Sequence, residues 1–417
     1  MRFDQLPSLS TRAATGCAIA LGFSIPVSVA LDNILLAVVL LCWLAGAGFR
    51  EKFNWLRDHS VARAALALFA LLAGGIAWSA HGSEGLRILG KYADLAFIPV
   101  FATLFRDERD RKRAGAFLIA ALLVTLLLSC LTRIGFVETG YPVIGDAGEP
   151  EVFKKYLTQS ILMACGSYLF ALLARDEPTP SRRLIWALLS VASAFNVVFM
   201  LSGRSGQIAL AVLALLFVFQ VWRSKGFVLV AGVFAFLIAG IMYGYAPDNN
   251  RFVEVVKDFK AWEPGKVMLT STGQRMLTST GQRLDYSMNS IAIVREHPLI
   301  GVGTGGFAAA YARQVEGTNL EATVNPHNEY LNLAVQLGIA GLLAAVWLFA
   351  MVWRHARALP TALERDLARG LAVTFAIGCL FNSMLMDHVE GLFFAWSAGV
   401  LFGGYDPARL RSLEGAT

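Results

Sequence analysis

Charged residues are scarce in this sequence. Asp, Glu, Lys and Arg together make up 16% of the 417 residues, whereas hydrophobic residues make up 56% and the mean hydropathy is +0.57. A soluble globular domain usually carries about 25% charged residues. The composition therefore excludes an ordinary soluble domain.

Cysteine is also scarce, and its placement is informative. The five cysteines all fall inside apolar stretches, at positions 17, 42, 130, 165 and 379. None lies in the longest polar stretch, residues 246–328. We therefore expect no disulfide framework, even for a segment in an oxidising compartment, and interpret the cysteines as small apolar core residues.

Long apolar blocks dominate the remaining sequence. Each block has roughly 17–22 residues, the length that a helix needs to cross about 30 Å of hydrocarbon. Backbone polar groups in hydrocarbon must be satisfied within the segment, so helices are expected. The prediction is an all-α polytopic membrane protein with about twelve transmembrane helices, of which the second is short and the fourth contains Lys91 and Asp94. The predicted spans are 13–30, 33–49, 61–80, 88–105, 114–134, 156–174, 184–202, 206–222, 227–245, 329–352, 367–386 and 389–404.

Basic residues predict the orientation, because Lys and Arg remain on the cytoplasmic side. Alternate connections hold 22 basic residues, including the run RDERDRKR at 106–113, against six in the short connections of the opposite side. Both termini are therefore expected in the cytoplasm. Although Ser28-Val29-Ala30 resembles a signal-peptide cleavage site, we expect residues 1–30 to remain as the first span. The net charge of +6 mostly reflects this asymmetry, so no nucleic-acid partner is expected.

The spans divide the chain into three parts: spans one to nine (1–245), one large outer loop (246–328), and spans ten to twelve with a short tail (329–417). Apolar residues at helical spacing predict an amphipathic helix at 250–262 in the loop. A second helix is predicted at 284–296, and a third through Phe307, Tyr311 and Val315.

Two other loop features have ordinary explanations. MLTSTGQR at 268–275 is repeated without change at 276–283, which indicates a local duplication. GVGTGG at 301–306 matches G-x-G-x-x-G, but it follows a predicted helix and not a strand, which argues against a dinucleotide site. Its glycines favour either a tight turn or a nest of N–H groups that approaches an anion.

Three outer residues could carry chemistry: Arg204 in SGRSG, Arg283 at the end of the second repeat copy, and His327 in NPHNEYLN. Each has an ordinary reading when taken alone. Arg204 could mark a helix end at the membrane boundary, Arg283 could be a solvated loop residue, and His327 could be a hydrogen-bonded cap.

Residues 279–341 resemble the signature region of the O-antigen ligase family. That family includes polysaccharide polymerases and protein O-oligosaccharyltransferases. The matching positions are Thr280-Gly281-Gln282-Arg283, His297-Pro298-Leu299 with Gly301 and Gly303, and His327-Asn328 with Gly338 and Gly341. Around Arg204 the family often shows arginine, three residues, then leucine, whereas Ile208 stands at the last position here.

The resemblance implies a GT-C-like membrane enzyme of the bacterial inner membrane. It would transfer a glycan from undecaprenyl diphosphate to a sugar hydroxyl of lipid A-core on the periplasmic face, with inversion at the anomeric carbon. Arg204 and Arg283 would bind the diphosphate, since guanidinium groups match phosphate geometry. His327 would be the general base, because an imidazole titrates near neutral pH.

Neither a metal nor a cofactor is expected. The sequence has no Asp-x-Asp motif, and its first outer connection, predicted at residues 31–33, is not rich in carboxylates. The duplication makes Arg275 a competitor for the diphosphate role. Arg283 is preferred because it stands at the family distance from His297-Pro298.

Six further residues are secondary candidates. Arg87 and Lys91 could contact phosphate or lipopolysaccharide, or simply anchor the protein at the interface. Asp387, His388 and Glu390 could orient the base or an arginine, and Asn328 follows the base directly.

Several activities remain open within and beyond the family. A polymerase would use the same lipid-linked donor, but family polymerases usually show two sizeable outer loops, and the connection 135–155 is modest. Protein oligosaccharyltransferases of the family tend to have a longer C-terminal part. A transporter or flippase would suit twelve spans, but matching broken spans in two halves are not evident. The ligase is the favoured reading.

Overall fold

The computed structural model describes residues 9–46, 48–222 and 279–414. The predicted span 227–245, the amphipathic helix 250–262, Arg275 and most of the tandem repeat lie outside the described residues. The described helices are α1 Leu9–Val27, α2 Val29–Ala45, α3 Phe49–Asp58, α4 Ser60–Gly75, α5 Gly82–Lys91, α6 Asp94–Leu104, α7 Glu108–Arg133, α8 Tyr156–Asp176, α9 Pro180–Phe195, α10 Arg204–Trp222, α11 Ser279–Glu296, α12 Phe307–Gln314, α13 Glu329–His355, α14 Ala362–Gly378, α15 His388–Phe402 and α16 Pro407–Glu414.

The described helices confirm an all-α, multi-pass membrane protein. Within the described residues, six helical segments are long and apolar enough to cross a membrane, and a seventh is added if α2 and α3, which meet at a bend of 110°, form one span. The six are Ser60–Trp78, Glu108–Arg133, Tyr156–Asp176, Pro180–Met200, Arg204–Val221 and Glu329–Ala358. The count of twelve spans and the GT-C-like arrangement stay predictions.

The prediction that residues 31–33 connect the first two spans is wrong. α1 ends at Val27 and α2 begins at Val29, so the connection is Ser28. The Ser28 side chain accepts a hydrogen bond from the Leu31 N–H, the capping contact that starts a helix. Asp32 consequently lies in the first turn of α2, where it is buried and bonded to Ser24 at 2.5 Å.

Two other predicted spans end differently in the structure. The span 88–105 is divided between α5 and α6 by a turn at the buried Tyr92. The span 367–386 ends as a helix at Gly378, and residues 379–387 form turns that accept and donate several backbone hydrogen bonds. Hydropathy missed this ending because the turn residues between 379 and 387 are mostly apolar.

α13 is broken at Gly338, which has φ +64° and ψ −155°. The break leaves backbone groups of Val335 and Gln336 without helical partners, and the loop 297–305 supplies them. Val302 and Gly303 donate N–H bonds of 2.9 Å to the carbonyls of Val335 and Gln336. A Cβ on Gly338 would lie 2.3 Å from the carbonyl carbon of Leu299, so only glycine fits this contact.

The same contacts decide between the two readings of GVGTGG. Besides Val302 and Gly303, Thr304 donates its N–H to the Gly75 carbonyl at 3.0 Å, and Gly305 donates to the Gln336 side-chain oxygen at 2.7 Å. The N–H groups that an anion nest would need are therefore bonded to the protein. The stretch is a tight turn that braces the break in α13.

Close helix packing depends on small residues at the crossings, as is usual in membranes. α8 packs against α9 and α10, α1 against α2 and α7, and α6 against α15. A Cβ on Gly399 of α15 would lie 2.2 Å from the Cβ of Phe101 on α6. The indole of Trp396 on the same helix donates a 2.7 Å hydrogen bond to the Ala18 carbonyl of α1.

Long-range polar contacts join connections that the sequence predicts on the same side. At the predicted inner end, Arg111 pairs with Glu364 and Arg175 with Asp366. At the predicted outer end, Asn328 donates to the Leu380 carbonyl. The candidate site lies at the predicted outer end of the bundle. This end holds residues 28, 79–92, 134–155, 201–204, 279–328 and 379–387.

Candidate active site

His327 lies directly before α13, in a backbone conformation that side chains rarely adopt. Its φ is +52°. The next residue, Asn328, caps the helix: its side-chain oxygen accepts the Leu331 N–H at 3.0 Å and its amide donates to the Leu380 carbonyl at 3.0 Å. Asn328 thus has a structural role, since both ends of its side chain are committed to holding the start of α13.

The left-handed conformation of His327 is supported by Asn325. The His327 N–H donates to the Asn325 side-chain oxygen at 2.9 Å, and the Ser383 hydroxyl donates to the same oxygen at 2.8 Å. A residue with positive φ persists where surrounding contacts determine it, often at functional sites. These two bonds join the NPHN segment to the turn after α14.

The imidazole of His327 is oriented by a second pair of residues from that turn. Its Nδ1 lies 3.4 Å from the Asn382 side-chain oxygen, and the Asn382 amide nitrogen donates to Asp387 at 3.1 Å. An ionised carboxylate can only accept, so the amide presents its oxygen to His327. Nδ1 therefore carries the proton, and Nε2 carries the lone pair that a base needs.

Asp387 is half-buried, and burial raises the pKa of its carboxyl. The hydrogen bond from Asn382, the charge of Lys91 and, when its imidazole is protonated, the charge of His327 lower that pKa and offset part of the shift. Asp387 is thus connected to the imidazole of His327 through Asn382.

Arg204 lies near enough to Arg283 for its charge to act on it. Arg283 is half-buried in the first turns of α11, and Arg204 is the first residue of α10. Burial lowers the pKa of Arg283, and the positive charge of Arg204 lowers it further, whereas Tyr156 acts in the opposite direction. Two guanidinium groups that repel each other form a site suited to an anion.

Tyr286 connects the arginines with His327. It follows Arg283 by three residues, so both side chains lie on the same face of α11. The Tyr286 ring stacks on the imidazole of His327, with centroids 6.2 Å apart and an interplanar angle of 28°. Helix α11 therefore carries both Arg283, a candidate for binding diphosphate, and Tyr286, which contacts His327.

The secondary candidates have different surroundings. Arg87 is exposed and paired with Glu84 on its own helix, and Lys91 is exposed with its charge acting on Asp387. His388 lies 3.9 Å from a carboxylate oxygen of Asp94. The buried Glu390 accepts a 2.7 Å hydrogen bond from the Thr158 hydroxyl. Among these candidates, Asp387 is connected to His327 by hydrogen bonds through Asn382.

Sequence reasoning missed several residues at this site. Asn382, Asn325 and Tyr286 all contact His327 or its backbone, and none was selected. Glu329 was also missed: it is fully buried, accepts bonds from the Tyr92 hydroxyl and the Leu385 N–H, and donates its own N–H to the Cys379 carbonyl. A carboxylate that opens an apolar span was a usable signal, because such a charge needs partners.

Comparison with known proteins covers the middle of the chain. The family model described as O-antigen ligase matches residues 188–346. That range contains Arg204, Arg283 and His327. No curated protein matches the chain. Within the described residues, no group of three or more His, Cys, Asp or Glu is arranged to hold a metal ion.

Proposed function

Because the family model described as O-antigen ligase matches residues 188–346, we propose that this protein transfers O-antigen polysaccharide from undecaprenyl diphosphate to a sugar hydroxyl of lipid A-core. The observation that carries the proposal is that three segments distant in sequence approach one another. Arg204 lies beside Arg283, and the helix of Arg283 stacks Tyr286 on His327. The site would face the periplasm from the bacterial inner membrane.

The two arginines are proposed to bind the donor's diphosphate. Each guanidinium offers donors in a planar fork that matches phosphate oxygens. Burial lowers the pKa of Arg283 and the charge of Arg204 lowers it further, and an anion between the two groups would relieve that repulsion. The leaving diphosphate gains negative charge as the sugar departs, so the same contacts strengthen in the transition state.

His327 is proposed to take the proton of the acceptor hydroxyl. As the hydroxyl oxygen bonds to the anomeric carbon, the bond from that carbon to the diphosphate oxygen breaks, and the proton moves to Nε2 of His327. Undecaprenyl diphosphate leaves with the bonding electron pair, and attack from the opposite face inverts the anomeric centre. Asn382 and Asp387 hold the Nδ1–H tautomer throughout.

Reconstitution tests the proposal. Purified protein is mixed with a lipid-linked polysaccharide and deep-rough lipopolysaccharide, with and without EDTA, and the lipopolysaccharide is separated by gel. We expect capped lipopolysaccharide in both samples. Absence of the product in EDTA alone would overturn the metal-independent mechanism, and absence in both would overturn the ligase.

The same experiment discriminates the two alternatives. Growth of the glycan on its carrier without lipopolysaccharide would identify a polymerase. Movement of the lipid-linked donor between the two leaflets of a vesicle, with no new glycosidic bond, would identify a flippase.

A further inference from the structure

Arg204 follows a short turn, residues 201–203. A π-helical segment, Asn196–Met200, precedes it, and residues 201–203 are not helical. Gly203 and Gly206 pack on α8 so closely that a Cβ on either would lie 2.3 Å from the Ser160 hydroxyl oxygen. The turn is therefore pressed against α8 on one side, and contacts from elsewhere must fix its other side.

Glu149, from the connection between α7 and α8, supplies such a contact. One of its carboxylate oxygens accepts the Ser202 N–H at 3.0 Å and the Ser202 hydroxyl as well. Ser202 lies two residues before Arg204. Its N–H belongs to a non-helical segment and needs an acceptor of this kind.

Glu149 is itself held in place by its own connection. Its N–H donates to the Asp146 carboxylate at 3.1 Å, and its carbonyl accepts the N–H groups of Asp146 and Glu151. The side chain is half-buried. Because these bonds hold the backbone of Glu149, its carboxylate can hold Ser202 in a fixed position.

A second link joins the same two segments. The Ser129 hydroxyl of α7 donates to the Pro150 carbonyl at 2.9 Å, and the Asn196 amide donates to that hydroxyl at 2.7 Å. Ser129 and Asn196 are both fully buried. The connection holding Glu149 and the segment leading into Arg204 are thus joined at two points.

From this geometry we infer that Glu149 is a positioning residue for Arg204. Through Ser202 it fixes the first turn of α10, so that Arg204 and Arg283 can bind the same diphosphate. This inference rests on the proposed function. It assigns Glu149 no contact with the substrate.

The test measures binding of undecaprenyl diphosphate to the detergent-solubilised full chain. We expect Glu149→Ala to weaken binding about tenfold, the size typical of a lost hydrogen bond to a charged group. Glu149→Gln should lose less than about threefold, because its amide oxygen can still accept from Ser202. Glu138→Ala is the matched control, since Glu138 is an exposed acid of the same connection and should bind as wild type.

An Arg204→Ala background separates positioning from general damage. If Glu149 acts through Arg204, adding Glu149→Ala to Arg204→Ala weakens binding no further. A further tenfold loss in that background would overturn the inference, as would wild-type binding by Glu149→Ala. The proposed function fails separately, through wild-type binding and transfer by Arg204→Ala alone.

Discussion

Arginines at the two ends of the helical bundle have different charged neighbours. At the predicted inner end, Arg111 is 6% exposed and pairs with Glu364 at 2.8 Å, while its other donors bond to the carbonyls of Phe105 and Arg106. At the predicted outer end, Arg283 is half-buried and the like charge of Arg204 acts on it. A buried charge must be compensated. The inner end compensates Arg111 within the chain, whereas we propose that the outer pair binds the donor's diphosphate.

Other charged residues at the predicted inner end also bond within the chain and hold helices in place. Glu364 also completes a capping box with Thr361 at the start of α14. Arg175 of α8 bonds to Asp366 of α14 at 2.7 Å, and Arg369 of α14 shares that carboxylate. Substitutions at the inner end should therefore lower stability, whereas substitutions at the outer end should lower transfer.

The largest effect is expected from His327→Asn. Asparagine adopts the left-handed conformation more readily than most residues, so it preserves the backbone at φ +52°. It cannot act as a base, and loss of general-base catalysis typically costs about 10²–10⁴ in rate. Transfer of lipid-linked glycan to lipopolysaccharide is measured under saturating donor. Near wild-type transfer would remove His327 from the role of base.

Arg283→Ala should lower transfer by about 10²–10³, the typical cost of removing one donor that stabilises a developing negative charge. Transfer rates are measured over a series of donor concentrations. Arg295→Ala is the matched control, because Arg295 is exposed at the far end of the same helix and should be active. Arg275→Ala tests the register of the repeat, and a greater loss there than at Arg283 would assign the diphosphate role to Arg275.

Arg111→Ala should destabilise the protein without affecting the chemistry. It leaves Glu364 without its buried partner, a loss of about 3 kcal/mol in the free energy of unfolding. Thermal unfolding in detergent measures stability, and transfer per folded molecule measures activity. A well-folded but inactive variant would contradict the division between the two ends.

The pH dependence of transfer should depend on Asp387. In its ionised form Asp387 stabilises, through Asn382, the positive charge that His327 gains as the base. Burial raises the pKa of Asp387, so transfer should fall as the pH drops through that raised pKa. Lys91→Gln removes a positive charge that lowers this pKa, so the acid limb should move to higher pH.

The measurement is the profile of kcat/KM against pH. Arg87→Gln is the control, and its fall in kcat/KM at low pH should occur at the same pH as in the wild type. An unchanged acid limb in Lys91→Gln would argue against Asp387 as the support of the base.

The smallest effect is expected from Glu84→Gln. Glu84 and Arg87 form an exposed pair on α5, and such pairs contribute at most about 1 kcal/mol before screening by salt. The hydrogen bond from Arg87 lowers the pKa of Glu84, so any stabilisation is present at neutral pH and lost as the pH falls through that lowered pKa. Transfer and thermal stability at pH 7 should both match wild type, and a clear loss of transfer would give Arg87 a functional role.

The candidate site could be predicted in part. His327 and Arg283 stand in recognisable sequence patterns, and α12 lies where the periodicity placed the third loop helix. Asn382 contacts His327 across 55 residues, and Glu149 contacts Ser202 across 53. Spacing within a segment cannot reveal such partners, because they meet only when the helices pack.

The sequence by itself determined the helical membrane class of this protein, because apolar length and backbone satisfaction are local requirements that each segment meets alone. It also named the arginines and the histidine. Only the tertiary structure decided that α13 breaks at Gly338, since the loop 297–305 must fill the gap. It likewise decided that Tyr286 lies against His327 and that Arg204 lies beside Arg283, because these contacts arise from packing between segments that are distant in sequence.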